Sequence, residues 1–131
     1  MPKRHSRMLA VTAGALLIVG AASASPAEAK AGDVKVSGSC TGNTDWKLKL
    51  GPRTGAIETE FEVDSNRVGQ RWSVSITDNG ARVFTGTGTT VAPSGSFTVE
   101  RRIPNRVGRD NIVARATNAA TGESCVARAS V

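Results

Sequence analysis

Four carboxylates at every second position, Glu58, Glu60, Glu62 and Asp64, are the densest set of chemically capable side chains in this 131-residue sequence. Paired carboxylates can divide general acid and general base work, as in glycoside hydrolysis, or gather as oxygen ligands around calcium. The period of two argues against both. It places all four on one face of an extended strand, whereas calcium wants oxygens converging from a loop and acid–base pairs sit in a pocket. Lys47 and Lys49 on one neighbouring strand and Arg102 on the other supply counter-charges, so cross-strand ion pairing is the role these acids are placed for.

Other routes to catalysis lack their parts. The only histidine, His5, lies in an N-terminal leader, so the working domain has no imidazole for base catalysis or metal ligation. Its serines have no histidine, no lysine or threonine pairing at a recognisable spacing, and no nucleophile elbow. No catalytic residue, metal site or cofactor is expected, and the chain reads as a non-enzyme. The two cysteines, Cys40 and Cys125, lie near the two ends of the domain. In an exported chain such a pair forms a disulfide.

Export follows from the first 29 residues. Lys3, Arg4 and Arg7 precede an apolar run from Met8 to about Ala22, and small residues then lead to Ala27-Glu28-Ala29. This is the pattern of a secretory signal peptide cleaved after Ala29, with Ala22-Ser23-Ala24 the poorer alternative site. The run is shorter than the ~18–20 residues a spanning helix needs, so no membrane span is expected after cleavage. Residues 30–131 then form one domain. The leader holds three of the seventeen basic and one of the eleven acidic residues, which leaves 14 minus 10, or +4. That surplus attracts polyanions loosely and falls short of the dense basic stripe of a specific nucleic-acid binder.

Strand signals recur along the mature chain with Gly, Pro, Asn or Asp between them, and no stretch has the apolar period of a capped helix. Val34 to Cys40 is the first candidate strand. Trp46 to Leu50 alternates apolar with basic residues before the turn Gly51 to Gly55, and Ile57 to Asp64 alternates Ile57, Thr59, Phe61 and Val63 with the four acids. Trp72, Val74 and Ile76 point inward, Asp78-Asn79-Gly80 marks a type I′ hairpin, and Thr85 to Ser96 reads as a weak edge strand passing into an exposed connection. Phe97 and Val99 follow, then Ile112, Ala114 and Ala116, a turn over Asn118 to Gly122, and a last strand from Ser124 to Val131. Four of the five aromatics fall in the inward register; Trp46, at a strand start, is the one left open as an exposed stacking surface.

One device occurs twice. Phe61-Glu62-Val63 with Asn66-Arg67-Val68-Gly69 is echoed by Phe97-Thr98-Val99 with Asn105-Arg106-Val107-Gly108. Each copy is a strand, a short glycine-containing crossover and a second strand, which is how a sandwich passes its chain between sheets. The inward parity of Ile112 places one extra residue in the second copy, near Arg109 or Asp110.

These crossovers, the tryptophan after the first and Gly108-Arg109-Asp110 before the penultimate strand resemble the immunoglobulin-like and fibronectin type III sandwiches, without the tyrosine often found at their second corner. The chain also looks like small exported proteins of Gram-positive bacteria. The resemblance implies an all-β, two-sheet antiparallel sandwich of seven to eight strands. Strands 46–50, 57–64 and 97–102 would share one sheet, with 71–77, 81–85, 111–117 and 124–131 in the other. Cys40 ending the first strand and Cys125 beginning the last would then join antiparallel neighbours. The same plan brings the turn Gly51 to Gly55 and the second crossover to one end, gathering Arg53, Arg101, Arg102, Arg106 and Arg109 as a candidate basic patch. The expected function is non-catalytic binding or a structural role at the cell envelope or in the extracellular space. Expected partners are an anionic cell-wall polymer, a polysaccharide or an extracellular protein, the last met through loops by an effector or inhibitor.

Overall fold

The computed structural model describes residues 32–131, so the signal peptide read over residues 1–29 and the domain start at residue 30 lie outside the described residues. Eight strands follow one another: β1 (Val34–Ser39), β2 (Asp45–Arg53), β3 (Ala56–Asp64), β4 (Arg71–Asp78), β5 (Ala81–Thr89), β6 (Ser96–Pro104), β7 (Asn111–Thr117) and β8 (Ser124–Ser130). They form two four-stranded antiparallel sheets, β1-β2-β3-β6 and β5-β4-β7-β8, closed over a common core. The strand sets are those the resemblance implied.

Alternation explains why these residues form strands that pack. Ile57, Thr59, Phe61 and Val63 of β3 are buried while the four acids between them stay partly exposed. Leu48 and Leu50, Trp72 and Ile76, and Ile112 with Ala114 and Ala116 do the same on β2, β4 and β7. A one-residue slip would turn each set toward water, so burial fixes the register.

Both crossovers carry the chain from one sheet to the other, and they stand at opposite ends of the sandwich. The first follows Asp64, which pairs with Asp45 and Ser96; the second follows Pro104, which pairs with Ala56. Each uses a glycine in the left-handed region, Gly69 at φ 86° and Gly108 at φ 84°. Trp72 lies three residues beyond the first glycine and Ile112 four beyond the second, and both are buried, so the second copy does hold an extra residue. The first corner is held by Gly69 N–H donating to Thr90 O (2.7 Å) and Ser65 N–H to Gly95 O (3.1 Å). The second is held by reciprocal bonds between Asp110 and Val131 (2.8 and 3.0 Å) and by Asn105 Nδ2 donating to Arg53 O (2.8 Å).

Three local expectations change. The first strand pairs with β2, not with the last strand, through Val34 opposite Leu50 to Ser39 opposite Asp45. The Cys40–Cys125 disulfide forms, but it joins one sheet to the other, at a Cα separation of 4.3 Å, instead of linking neighbours within a sheet. Thr41 N–H donating to Ser124 O (2.9 Å) reinforces the junction. The turn expected over Gly51 to Gly55 contracts to Thr54-Gly55, because Gly51, Pro52 and Arg53 continue β2. Pro52 is tolerated there since β1 has already ended at Val34 and asks no N–H of it.

Glycines make room for aromatic rings at three inward positions. A Cβ at Gly38 would meet the Trp46 indole at 2.5 Å, so Trp46 lies half-buried against the core rim and is not an exposed stacking surface. On β5, a Cβ at Gly86 would meet the Phe84 ring at 2.6 Å, and one at Gly88 the Phe97 ring at 2.3 Å. Phe97 comes from β6, so its ring bridges the two sheets on their β5–β6 side.

Candidate functional site

The hairpin turn and the second crossover do share one end of the sandwich, yet the five arginines expected there enter three different settings. Arg53 ends β2 with Nη1 3.1 Å from Asp33 Oδ1 and Nη2 3.4 Å from Glu58 Oε2. Arg102 reaches the other oxygen of Glu58 at 3.6 Å. Both belong to an ion-pair lattice on the outer face of the first sheet that includes Lys49 with Asp33 and Glu60, and Lys47 with Glu62. The hydrogen bond from Arg53 is the main cause of the Asp33 carboxyl lying below its ordinary value. This lattice is the cross-strand pairing expected of the acidic line.

Arg106 is placed differently. Its Nε lies 3.7 Å from Asp78 Oδ2, a carboxylate with no exposure, and the Arg106 backbone N–H donates to Asp110 Oδ2 (3.2 Å). It covers buried acids at the second corner. Arg109 is exposed beside it, its carbonyl accepting from Asn79 Nδ2 (3.0 Å). Asn79 and Gly80, at φ 49° and 83°, form the expected left-handed pair of the hairpin turn.

Arg101 defines the third setting. It occupies the inward register of β6, opposite Thr59, but β6 is an edge strand and the guanidinium reaches solvent at the margin between the sheets. Its Cζ lies 4.5 Å from the centre of the Phe84 ring, a cation–π contact of about 0.5–1 kcal/mol where solvent is near. Around it, Arg82, Val83, Phe84, Thr85, Arg101 and Arg102 line an open depression between β5 and β6 with no carboxylate in its wall. Two of the five expected residues therefore meet Arg82, which sequence reasoning passed over as part of a hairpin. A β-bulge between Ile76 and Thr77 moves Arg82 into register with Thr77 while Phe84 stays opposite Ile76. Strand parity alone does not reveal that shift; the signal available was an arginine two residues from an aromatic on an edge strand.

Three guanidiniums beside a ring can bind carboxylate, phosphate or sulfate through forked, charge-assisted hydrogen bonds, with the ring fixing one fork in place. Among the described residues no three His, Cys, Asp or Glu side chains converge to hold a metal ion. No described helix is long and apolar enough to cross a membrane.

Fold and site thus define a disulfide-linked all-β sandwich with an arginine-lined margin. Comparison with protein-family models finds no match, and comparison with curated proteins finds none. Among solved structures the chain is similar to that of chicken MD-1 complexed with lipid IVa, at 12% identity and a TM-score of 0.29, over 74% of this chain and 96% of that one. A likeness of that degree carries no argument about what this chain binds.

Proposed function

We propose that this chain is an exported, non-catalytic binding module of the immunoglobulin-like sandwich type. It works at the cell envelope or in the extracellular space and docks an anionic polymer through arginines. The observation that carries the reading is the depression at the β5–β6 margin, where Arg82 and Arg101 stand with no carboxylate in the wall and Arg102, paired with Glu58 on its other side, completes the rim. An inter-sheet disulfide suits an oxidising compartment, in keeping with the leader. The absence of histidine beyond His5 supports a role without catalysis.

The test uses the mature, oxidised domain and purified bacterial envelope. Retention is expected at low ionic strength and is lost on adding salt, because exposed charges are screened. Arg82→Ala, Arg101→Ala and Arg102→Ala together should weaken retention about tenfold or more, since losing one charge-assisted contact costs about 1.5 kcal/mol. Retention unaffected by salt or by the triple substitution rejects the reading. Recovery of one stoichiometric protein partner in its place would support the effector or inhibitor.

A further inference from the structure

The two outer faces of the sandwich are electrostatically unlike. Strands of the first sheet hold six acids, Asp45, Glu58, Glu60, Glu62, Asp64 and Glu100, interleaved with lysines and arginines. Strands β4, β5, β7 and β8 hold a single acid, Asp78, which points inward and is wholly buried. Their four arginines, Arg71, Arg82, Arg115 and Arg128, are all exposed. One entire sheet face therefore presents guanidinium groups with no carboxylate at any outward strand position.

The remaining outward positions are mostly hydroxyls, and the register sets them in rows. Thr87, Ser73, Thr117 and Ser124 lie side by side across β5, β4, β7 and β8. The next row is Thr85, Ser75, Arg115 and Val126, and the one after it Arg82, Thr77, Val113 and Arg128. Neighbours in a row stand about 4.8 Å apart and successive rows about 6.8 Å. Arg115 and Arg128 are diagonal neighbours, about 7–8 Å apart.

The chemistry of this face selects among polymers. No aromatic points outward from these strands, since Trp72 and Phe84 belong to the inner face, so the stacking platform of a single-stranded nucleic-acid binder is missing. Its outward valines, Val113 and Val126, are half-buried and stand without the aromatic anchor that dominates protein interfaces. What remains is an array of hydroxyls that donate and accept, with guanidiniums at intervals and a depression beside Arg71, Ser73 and Thr87. We propose that the outer face of the β5-β4-β7-β8 sheet is a docking surface for an acidic polysaccharide. Its carboxylates pair with Arg115 and Arg128 while its hydroxyls bond to the Thr87–Ser73–Thr117 row. The inference rests on the binding-module reading but uses a surface that shares only Arg82 and Thr85 with the margin depression.

The experiment measures binding of the mature domain to polygalacturonate, with neutral dextran and inorganic polyphosphate as comparators. Polygalacturonate should bind, polyphosphate several-fold more weakly because it offers the hydroxyl row no hydroxyl partners, and dextran not at all. Arg115→Ala with Arg128→Ala should lower polygalacturonate affinity at least tenfold, and Ser73→Ala with Thr117→Val several-fold. Arg101→Ala with Arg102→Ala probes the margin separately, and Lys35→Ala with Lys47→Ala, on the outer face of the other sheet, should change binding less than twofold. Backbone amide shifts should move on β4 and β7 and stay fixed on β2 and β3. Unchanged binding in the Arg115 and Arg128 variant overturns the proposal, and loss confined to the Arg101 and Arg102 variant overturns it while leaving the margin site standing. Polyphosphate binding equal to that of polygalacturonate, or no effect of removing the hydroxyls, overturns the assignment to a polysaccharide.

Discussion

Gly95 and Gly108 have nearly the same backbone conformation, φ 75° and 84°, and opposite surroundings, which makes them a matched pair. A Cβ on Gly108 would meet nothing within 4 Å. A Cβ on Gly95 would stand 2.3 Å from Arg67 N and 2.7 Å from Asn66 C, both backbone atoms of the first corner. Replacing either with alanine places an L-residue in the left-handed region, a cost of about 1–2 kcal/mol. For Gly108→Ala that is the whole effect. For Gly95→Ala the first corner must also move, and with it the bonds that Gly95 O accepts from Ser65 N–H and Ser65 Oγ. Overpacking of that kind adds about 1–3 kcal/mol, giving a total of about 2–5 kcal/mol. Urea unfolding of the oxidised domain reads both, through midpoints at constant m. Gly95→Ala should shift the midpoint roughly twice as far as Gly108→Ala. Equal shifts would refute the argument that contact with the corner, not backbone conformation, sets the cost at position 95.

Two further perturbations follow. Replacing Cys40 and Cys125 by alanine opens a loop spanning 85 residues, whose closure is worth about 4–5 kcal/mol on the chain-entropy model, a large share of the stability of a domain this size. A loss below about 1 kcal/mol in urea unfolding would contradict it. Asp33 titrates below its ordinary value because Arg53 hydrogen-bonds and pairs with it. Its contribution is therefore complete at neutral pH, persists above the ordinary carboxylate range, and is lost as pH falls through the lowered value. Arg53→Ala should return the Asp33 carboxyl toward its ordinary value in an NMR titration; an unmoved midpoint would show that Arg53 is not the cause.

Much of the architecture was legible because burial leaves a period-two trace. The alternation at Ile57 to Asp64 named both the strand and its exposed acidic face, and the parity of Trp72 and Ile112 located the extra residue in the second corner. The partner of β1 was not legible. Val34 and Val36 say only that one face is apolar, which suits pairing with β2 or β8 equally, and the cysteine positions suggested the wrong neighbour. Trp46 could not be placed without knowing that Gly38 lies opposite it. The basic residues were read by their distance from one end of the fold, whereas pairing with Asp33, Glu58 and Asp78 decides which of them meet solvent without a carboxylate nearby. The hydroxyl and arginine face was written in plain alternation, as Arg71, Ser73, Ser75 and Thr77 and again as Thr85, Thr87 and Thr89. It escaped notice because outward polar residues without charge patterning look like ordinary solvated surface.

The inter-sheet disulfide also has a mechanical meaning. It rivets the layers along the margin where β1 and β8 meet, while the opposite margin is bridged by the Phe97 ring and the Phe84–Arg101 stack, with no covalent link. The one covalent tie between the layers therefore restrains their separation most at the β1–β8 corner, and the arginine-lined depression lies on the side held by side-chain contacts alone.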